Sequence, residues 1–425
     1  MRPNISFLFL LMCPFISCTS SDHNNATFPD ISASDITTHI TFLAGDDLKG
    51  RESGTAEEAK AANYIADYFR DFNLEPAGDE RTYFQEFTIN TATLKNPHTD
   101  TTTQDSTAEK RLSKNVVGLL QGNGESDEVI IIGAHYDHLG YGEFGSLYSG
   151  EQKRIHNGAD DNASGTAGLL ELAEYFSANR PQTNLLFIAF SGEEMGLLGS
   201  QFFVENTNID LSQARAMINM DMIGRMHQNK LLIFGTGTTE NWANILTTAN
   251  SDSLQLDLVP DGTGASDHTS FYYKDIPVLH YFTDTHADYH RPSDDTGYIN
   301  AEGQRLVLAH VARVISALDT LPKESLAFIA APGQQRQAMA MNGPTLGVLP
   351  DYGYDGTGMR ITGVTEGRAA EQAGLKDGDI IIQIAGNPLE DIYAYMTALN
   401  TLQKGQKTTI TVLRNGEELT FELQL

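Results

Sequence analysis

The sequence is short of positive charge and of cysteine. Its 425 residues include 28 Lys and Arg against 56 Asp and Glu, which gives a formal net charge of −28 at pH 7. A surface this acidic repels phosphate backbones and anionic lipid, which argues against nucleic acid as a partner. The two cysteines, Cys13 and Cys18, both lie near the N-terminus, so the rest of the chain can form no internal disulfide.

The N-terminal apolar run is too short to cross a bilayer as a mature helix. It covers residues 5–16 and follows the positive charge of Arg2. This order is typical of an export signal, so we predict a signal peptide at 1–17 and a polar tether at 18–32.

The end of this run resembles a bacterial lipoprotein box, because a small residue stands directly before Cys18. Phe15 is an unusual residue at its position in such a box. We expect Cys18 to be acylated after cleavage, and the alternative is plain cleavage near residues 18–20. The predicted location is the periplasm, the outer membrane or the cell surface, with membrane contact only through the lipid anchor.

Apolar residues make up 40% of the chain, which is enough for a sizeable core, and its length suggests two or three domains. Helical periodicity covers residues 33–72, whereas 90–113 is polar, Thr-rich and predicted to be an exposed excursion. Apolar runs that read as strands then alternate with helical patterns. The runs lie at 116–120, 129–135, 185–190, 216–222, 231–235 and 277–282, and the helical patterns at 163–179, 195–206, 239–250 and 301–319.

This alternation predicts one α/β domain at 33–320, a three-layer α/β/α sandwich around a mostly parallel central sheet. Ligand-binding groups in such a fold lie at the carboxyl ends of the strands.

Residues 321–342 lose the alternation and are predicted to be a linker. Beyond it, GLKDGDIIIQIAGNPL (374–389) resembles a PDZ domain of the kind found in bacterial proteases, so we predict a small β-rich PDZ domain at 343–425. The resemblance implies that Leu346, Gly347 and Val348 form the loop that receives a peptide or protein C-terminus. An unrelated small β domain is the alternative.

Residues that could bind metal follow several predicted strands. AHYDHLG (134–140) places His135 and Asp137 two apart, where an Asp side chain can orient an imidazole. GADDNASG (158–165) gathers two Asp and one Asn before a helix, a pattern that also suits a helix cap.

Three further segments add to this pattern. SGEEMG (191–196) carries Glu193 and Glu194, whose side chains would point to opposite faces of an extended chain. Asp221 is the lone charge of an apolar strand, which is costly unless it is paired or coordinated. HADYHRPSDD (286–295) offers His286, Asp288, Tyr289 and His290 in a loop.

These segments together resemble the dinuclear zinc aminopeptidases of family M28, in which His, Asp, Glu, Asp and His follow in this order. The resemblance covers residues 40–320 and includes FLAGDDLKGRESGT (42–55), which is similar to an N-terminal signature of that family. It implies the zinc-exopeptidase fold and two Zn²⁺ per chain, with Co²⁺ or Mn²⁺ as possible substitutes. The implied ligands are His135, Asp161, Glu194, Asp221 and His290.

The same resemblance divides the ligands between the two metals and assigns roles to their neighbours. Asp161 would bridge the metals, one completed by Glu194 and His290 and the other by His135 and Asp221. Glu193 would be the general base, Asp137 would orient His135, and Tyr289 would stabilise the oxyanion unless it is an ordinary loop tyrosine. Asp267, Phe271 and Tyr272 are predicted to form the substrate wall, although Phe271 could equally belong to the core.

We therefore predict an exported aminopeptidase that hydrolyses the N-terminal bond of peptides through a water activated by two zinc ions. The loop at 139–157 either covers the substrate cleft or is a tolerated insertion. Another zinc hydrolase of this fold (carboxypeptidase, dipeptidase or glutaminyl cyclase) is an alternative, as is a peptide-binding surface protein whose PDZ domain acts beside an inactive peptidase.

Overall fold

A computed structural model describes residues 31–90, 110–331 and 346–425. Short gaps within these ranges fall at 144, 149, 151, 351–353, 355, 365–367, 391–393, 396, 397, 400 and 404. The predicted signal peptide, Cys18 and most of the predicted tether and excursion lie outside the described residues. None of the helices in the described ranges combines the length and the apolar character that a bilayer span requires.

Two helices open the described chain. Helix α1 (Ala33–Leu43) is capped by Ser32 and helix α2 (Ala56–Asp71) by Thr55, each of which accepts a hydrogen bond from a main-chain N–H in the first turn. The continuous helical stretch predicted at 33–72 is therefore interrupted at 44–55. This interruption contains left-handed residues, among them Arg51 at φ 48°.

Within the described ranges, nine strands form one mixed sheet. They are β1 (Glu75–Pro76), β2 (Phe84–Asn90), β3 (Lys110–Leu120), β4 (Val129–His135), β5 (Asn184–Phe190), β6 (Ala214–Met220), β7 (Lys230–Phe234), β8 (Gln255–Leu258) and β9 (Val278–Phe282). Their order is β1-β3-β5-β4-β6-β9-β7-β8, with β2 also paired to β3. Strands β5, β4, β6 and β9 run parallel in the centre, and the antiparallel pairs lie on either side of them.

Helices cover both faces of this sheet, which confirms the predicted α/β architecture. They are α3 (Gly165–Ala178), α4 (Leu198–Asn206), α5 (Trp242–Ala249), α6 (His268–Tyr272) and α7 (Ala301–Thr320). Phe187 of β5 contacts Phe69 of α2, whereas Phe190, which points to the opposite face, contacts Phe203 of α4. The central strands are buried on both faces, as their continuous apolar runs require.

Two boundaries differ from the sequence predictions. Strand β3 begins at Lys110 and pairs with β2, and Ser113 is buried, so the last four residues of the predicted excursion belong to the sheet. The described part of the predicted linker lies against the same core. There, Ile329 N–H donates to the carbonyl of Thr238, and Ala331 N–H donates to the hydroxyl of Tyr272.

The C-terminal residues form a second, antiparallel sheet with its own apolar core. Its strands are β10 (Val348–Pro350), β11 (Met359–Val364), β12 (Ile380–Ile384), β13 (Asn387–Pro388), β14 (Lys407–Arg414) and β15 (Glu417–Gln424), with the short helix α8 (Ala369–Ala373). Leu346 is buried in this core and Gly347 has φ 75°, a conformation that favours glycine. Val348 opens β10, which is an edge strand of the described sheet.

Candidate metal centre

The carboxyl ends of the four central parallel strands meet at one edge of the sheet, and the candidate site lies there. His135 is the last residue of β4, and Asp221 follows β6 directly. Glu194 comes four residues after the end of β5, and His290 lies in the loop that follows β9. The fifth predicted ligand, Asp161, comes from the turn before α3. Residues that are 155 positions apart along the chain, from 135 to 290, therefore converge.

Asp161 stands between two imidazoles. Its Oδ1 lies 3.4 Å from Nε2 of His135, and its Oδ2 lies 3.2 Å from Nε2 of His290. Each imidazole faces a second carboxylate: His135 Nε2 is 3.4 Å from Asp221 Oδ1, and His290 Nε2 is 3.2 Å from Glu194 Oε2. Asp161 thus has one oxygen near each of the two predicted groups of ligands.

These separations suit zinc. With metal–ligand bonds of about 2.0 Å, two ligand atoms of a tetrahedral site lie about 3.3 Å apart. One carboxylate oxygen of Asp221 is also available to bind a metal ion. Its Oδ2 accepts a hydrogen bond from Ser266 Oγ, while Oδ1 is buried without a hydrogen-bond partner among the described residues. A buried polar atom without a partner is unfavourable unless something binds it.

His135 and His290 both direct Nε2 toward the carboxylates, because Nδ1 of each ring contacts a main-chain carbonyl oxygen on the opposite side. Nδ1 of His290 lies 2.8 Å from the carbonyl oxygen of Gly145, and Nδ1 of His135 lies 3.3 Å from the carbonyl oxygen of Asp137. A proton on Nδ1 leaves the Nε2 lone pair for a cation. The loop at 139–157 therefore contacts the site directly through Gly145.

The orienting role predicted for the Asp137 side chain stays a prediction. Its Oδ1 is 3.6 Å from His135 Nδ1, beyond hydrogen-bond distance, so the main-chain carbonyl of Asp137 is the nearer acceptor. The carboxylate instead accepts hydrogen bonds from Ser53 Oγ and from the main-chain N–H of Glu193. Asp137 thus links the signature segment at 42–55 to the turn that carries Glu193.

The two adjacent glutamates fall into different groups of possible metal ligands. One group of ligand atoms that could hold a metal ion contains Glu193 with His135 and Asp221, and a second contains Glu194 with Asp161 and His138. Glu193 therefore faces one side of the centre and Glu194 the other.

The buried carboxylates of this site favour positive charge on the groups beside them. Burial alone lowers the pKa of His290, but Glu194 and Asp161 outweigh it and raise that pKa well above its usual value. Burial likewise opposes charge on Glu194, yet His290 holds the pKa of this carboxyl at about 2. Carboxylates that keep buried imidazoles protonated would also hold a divalent cation, which releases those protons when it binds.

Glu193 behaves differently from Glu194. Burial raises its pKa well above the usual value, and the neighbouring carboxylates Asp221 and Glu194 add to this effect against the opposing His135. The two neighbouring glutamates thus have pKa values shifted in opposite directions.

Sequence reasoning missed several residues that fix the ligands. Asn162 Oδ1 accepts hydrogen bonds from the N–H groups of Gly165 and Met222, and its Nδ2 donates to the carbonyl of Met220. Asn162 thus binds the first residue of α3 and the main chain on both sides of Asp221. The N-cap residue of α3 is Ser164, whose side chain makes no capping hydrogen bond.

Asp160 and Asp294 hold the loop that carries His290. Asp160 Oδ1 accepts the N–H of Gly224, and its Oδ2 lies 3.2 Å from His286 Nε2. The Asp294 carboxylate accepts the N–H groups of Asp160 and Asp161. The signals were present in GADDNASG and HADYHRPSDD, but the sequence alone does not show which Asp binds metal and which braces a loop.

The predicted substrate wall is partly wrong. Phe271 and Tyr272 are buried in the core with Phe190 and Phe203, because α6 packs its aromatic side chains against the sheet. Asp267 is also fully buried, and burial raises its pKa to about 7.

Tyr289 stacks on the ring of His290 with a centroid distance of 3.9 Å, which places it beside the centre. The substrate-binding role of Asp267 and the oxyanion role of Tyr289 stay predictions.

Comparison with known proteins matches the two predicted domains to two known families. Residues 115–319 match the family described as Peptidase family M28, and residues 337–425 match the PDZ domain. A probable zinc metalloprotease of Pyrenophora tritici-repentis is 36% identical over 138 residues, which is 30% of this chain and 30% of that protein. Aminopeptidase YwaD of Bacillus subtilis is 25% identical over 285 residues, covering 62% of this chain and 58% of that protein.

A Zn-dependent exopeptidase from Parabacteroides distasonis superposes with a TM-score of 0.55 at 18% identity. The match covers 68% of this chain and 99% of that one. At this identity the likeness shows the fold, which is that of the zinc exopeptidases. The chain spans 30% and 58% of the lengths of the two curated relatives above.

Proposed function

Because residues 115–319 match peptidase family M28 and residues 337–425 match the PDZ domain, we propose that this chain is an aminopeptidase that works with two zinc ions. The observation that carries the proposal is the position of Asp161 between His135 and His290, with one further carboxylate on each side. Three carboxylates and two neutral imidazoles would leave two dications with a net charge of +1.

The donor set fits zinc better than a harder cation. It combines imidazole nitrogen with carboxylate oxygen, and the separations of 3.2–3.4 Å match the edges of a tetrahedral site. One triad consists of His135, Asp161 and Asp221, and the other of Asp161, Glu194 and His290. Cobalt and manganese accept the same donors and are expected substitutes.

Bound zinc would supply a water of lowered pKa and an electrophile for the scissile carbonyl. Glu193 would accept a proton from water at the site and donate it to the leaving amine. The hydroxyl of Tyr289 would donate to the carbonyl oxygen of the substrate as charge develops on it. Asp137 holds the turn of Glu193 through the main-chain N–H of that residue.

The aminopeptidase direction rests on relatives, since the ligand set is compatible with other exopeptidases. The Bacillus subtilis relative is named an aminopeptidase, and its similarity covers 62% of this chain. The substrates would be peptides with a free N-terminus.

Export and lipid anchoring rest on the sequence of residues 1–32 alone. We propose a lipoprotein acylated at Cys18, with the peptidase held at a membrane surface and the PDZ domain available for a peptide or protein C-terminus. Detergent partitioning that is lost in Cys18→Ala would support acylation, and a wild-type protein found wholly in the aqueous phase would contradict it.

The reaction is tested with an amino-acid 4-nitroanilide in two forms. Release of 4-nitroaniline from the unblocked compound and none from the acetylated compound is the result expected for an aminopeptidase. Release from the acetylated compound as well would show that a free amine is unnecessary and would reject this direction of cleavage.

A further inference from the structure

His138 is a buried imidazole at the metal centre that lies outside the predicted ligand set. It is the last residue of the run His135-Tyr136-Asp137-His138 and is 1% exposed. Its Nδ1 lies 2.7 Å from Oε1 of Glu194 and 3.8 Å from Oδ2 of Asp161. It could therefore either bind the metal or hold Glu194.

The distances distinguish the two roles. Pairs of proposed ligands stand 3.2–3.4 Å apart, close to the edge of about 3.3 Å expected in a tetrahedral zinc site. The 2.7 Å between His138 and Glu194 is shorter than that edge and is typical of an N–H···O⁻ hydrogen bond. His138 therefore fits a donor to Glu194 better than a fellow ligand.

The surroundings of the ring favour a proton on Nδ1. Nε2 is buried and has no hydrogen-bond partner among the described residues, so a proton there would gain no acceptor. It would also leave the lone pair of Nδ1 facing a carboxylate oxygen at 2.7 Å. A proton on Nδ1 avoids this repulsion and makes a charge-assisted hydrogen bond to Glu194.

The ring is held tightly in this orientation. Gly158 has φ 56°, and a Cβ atom there would come within 2.5 Å of Cγ and Cδ2 of His138. The glycine leaves room for the imidazole to pack against the main chain of the turn that carries Asp161. On its other side, the edge of the ring meets the His290 ring at a centroid distance of 5.9 Å.

We propose that His138 is a positioning residue for Glu194. Its Nδ1–H donates a hydrogen bond to Oε1 of Glu194. The other oxygen, Oε2, lies 3.2 Å from His290 Nε2 and would be the one that binds the metal. The carboxylate then binds with one oxygen, and its rotation is fixed. This inference rests on the proposed metal centre and adds a residue to it.

The test compares zinc affinity in three variants, measured by competition with a chromophoric chelator. His138→Ala is expected to weaken one of two zinc sites by about 10- to 100-fold and to leave the other unchanged. His138→Asn should recover most of that loss, because its amide nitrogen, like Nδ1 of histidine, stands two bonds from Cβ and donates a proton. His39→Ala removes an equally buried histidine that bonds Tyr64, and should leave both affinities unchanged.

The visible spectrum of the Co²⁺-loaded proteins provides a second readout. Wild type and His138→Asn should show the same absorption bands if both keep the same ligands. Bands in His138→Asn that have lost the contribution of one nitrogen ligand would make His138 a ligand and overturn the positioning role. Wild-type zinc affinity in folded His138→Ala would also overturn it.

A failure of this inference differs from a failure of the proposed function. If wild type binds two zinc ions and His138→Ala binds them equally well, only the role of His138 is wrong. If wild type binds no zinc, the metal centre itself is rejected, and the role of His138 is rejected with it.

Discussion

Arg51 Nε donates a hydrogen bond of 2.8 Å to the main-chain carbonyl oxygen of Tyr136, the residue that follows the first predicted metal ligand along the chain. The same guanidinium donates to the carbonyls of Asn157 and Gly158, just before the turn that carries the bridging carboxylate, and to that of Leu43. Burial lowers the pKa of Arg51 to about 10, so the group stays charged at neutral pH. A single cation thus ties the signature segment to two ligand-bearing segments.

Removing the positive charge of Arg51 should weaken zinc binding. In Arg51→Met we expect zinc affinity to fall by about 10- to 100-fold, because the supports of two ligands lose their common donor. The free energy of unfolding should fall on the order of 3 kcal/mol, since hydrogen bonds from a buried charge are lost. Chelator competition and denaturant unfolding measure the two effects.

Arg215→Met is the matched control. Arg215 is also buried and donates to the main-chain carbonyls of Leu318, Asp319 and Leu321, but it lies at the amino end of β6, away from the ligands. This variant should lose stability and keep its zinc affinity. If both variants lose zinc affinity to the same extent, the effect of Arg51 is one of general stability and its link to the ligands is wrong.

Glu193→Gln should separate metal binding from turnover. The amide keeps the size of the side chain but cannot accept the proton of the water, so we expect kcat to fall by at least about 10²- to 10⁴-fold with zinc content unchanged. Glu171→Gln, at a buried carboxyl of α3 that bonds the main chain at Ser32, should keep wild-type kcat. A metal-loaded Glu193→Gln with full activity would remove this residue from the reaction.

The stability of the protein should depend on the protonation of a buried histidine in α7. Burial lowers the pKa of His310 from 6.5 to about 4. Between these values the unfolded state binds a proton that the native state does not, so stability falls as the pH falls from about 7 to 4. The contribution of this one group is at most about 3 kcal/mol over that range, and it is absent above pH 7.5.

His310→Gln removes this titration and keeps a donor for the carbonyl of Leu246. The loss of unfolding free energy between pH 7 and pH 4 should therefore be smaller in this variant than in wild type. His227→Gln, at an exposed position, should follow the wild-type curve. Parallel curves for wild type and His310→Gln would show that His310 is not buried in its neutral form.

The PDZ domain is expected to help bind long substrates. Its core is formed by its own residues, and β10 is an edge strand of its described sheet, as strand addition by a peptide requires. Deletion of 343–425 should raise KM for long peptides several-fold and leave KM for dipeptide analogues unchanged. Equal changes for both substrate lengths would indicate a purely structural contribution.

The sequence indicated where most of the candidate ligands lie, because parallel strands carry their carboxyl ends to one edge of a sheet. His135 and Asp221 could be placed by this rule alone. The bridging role of Asp161 needed the order of motifs of a known family, since Asp160, its neighbour, carries the same chemistry and braces a loop instead.

Other features depend on contacts that the sequence pattern does not encode. Phe271 and Tyr272 lie on a five-residue helix, and a helix this short has no periodicity that shows which side faces the core. Arg51 donates to main-chain carbonyl oxygens up to 107 positions away. Every residue type has such an oxygen, so the sequence does not reveal these partners. The turn after β4 also brings the main-chain carbonyl of Asp137 to His135 Nδ1, a contact that residue types do not show.

The most direct test of the account is the zinc content of the purified chain, measured together with hydrolysis of leucine 4-nitroanilide before and after chelation. We predict close to two zinc ions per chain and an activity that chelation removes and added zinc restores. A well-folded protein that takes up no zinc when zinc is supplied would contradict the metal centre and, with it, the proposed reaction.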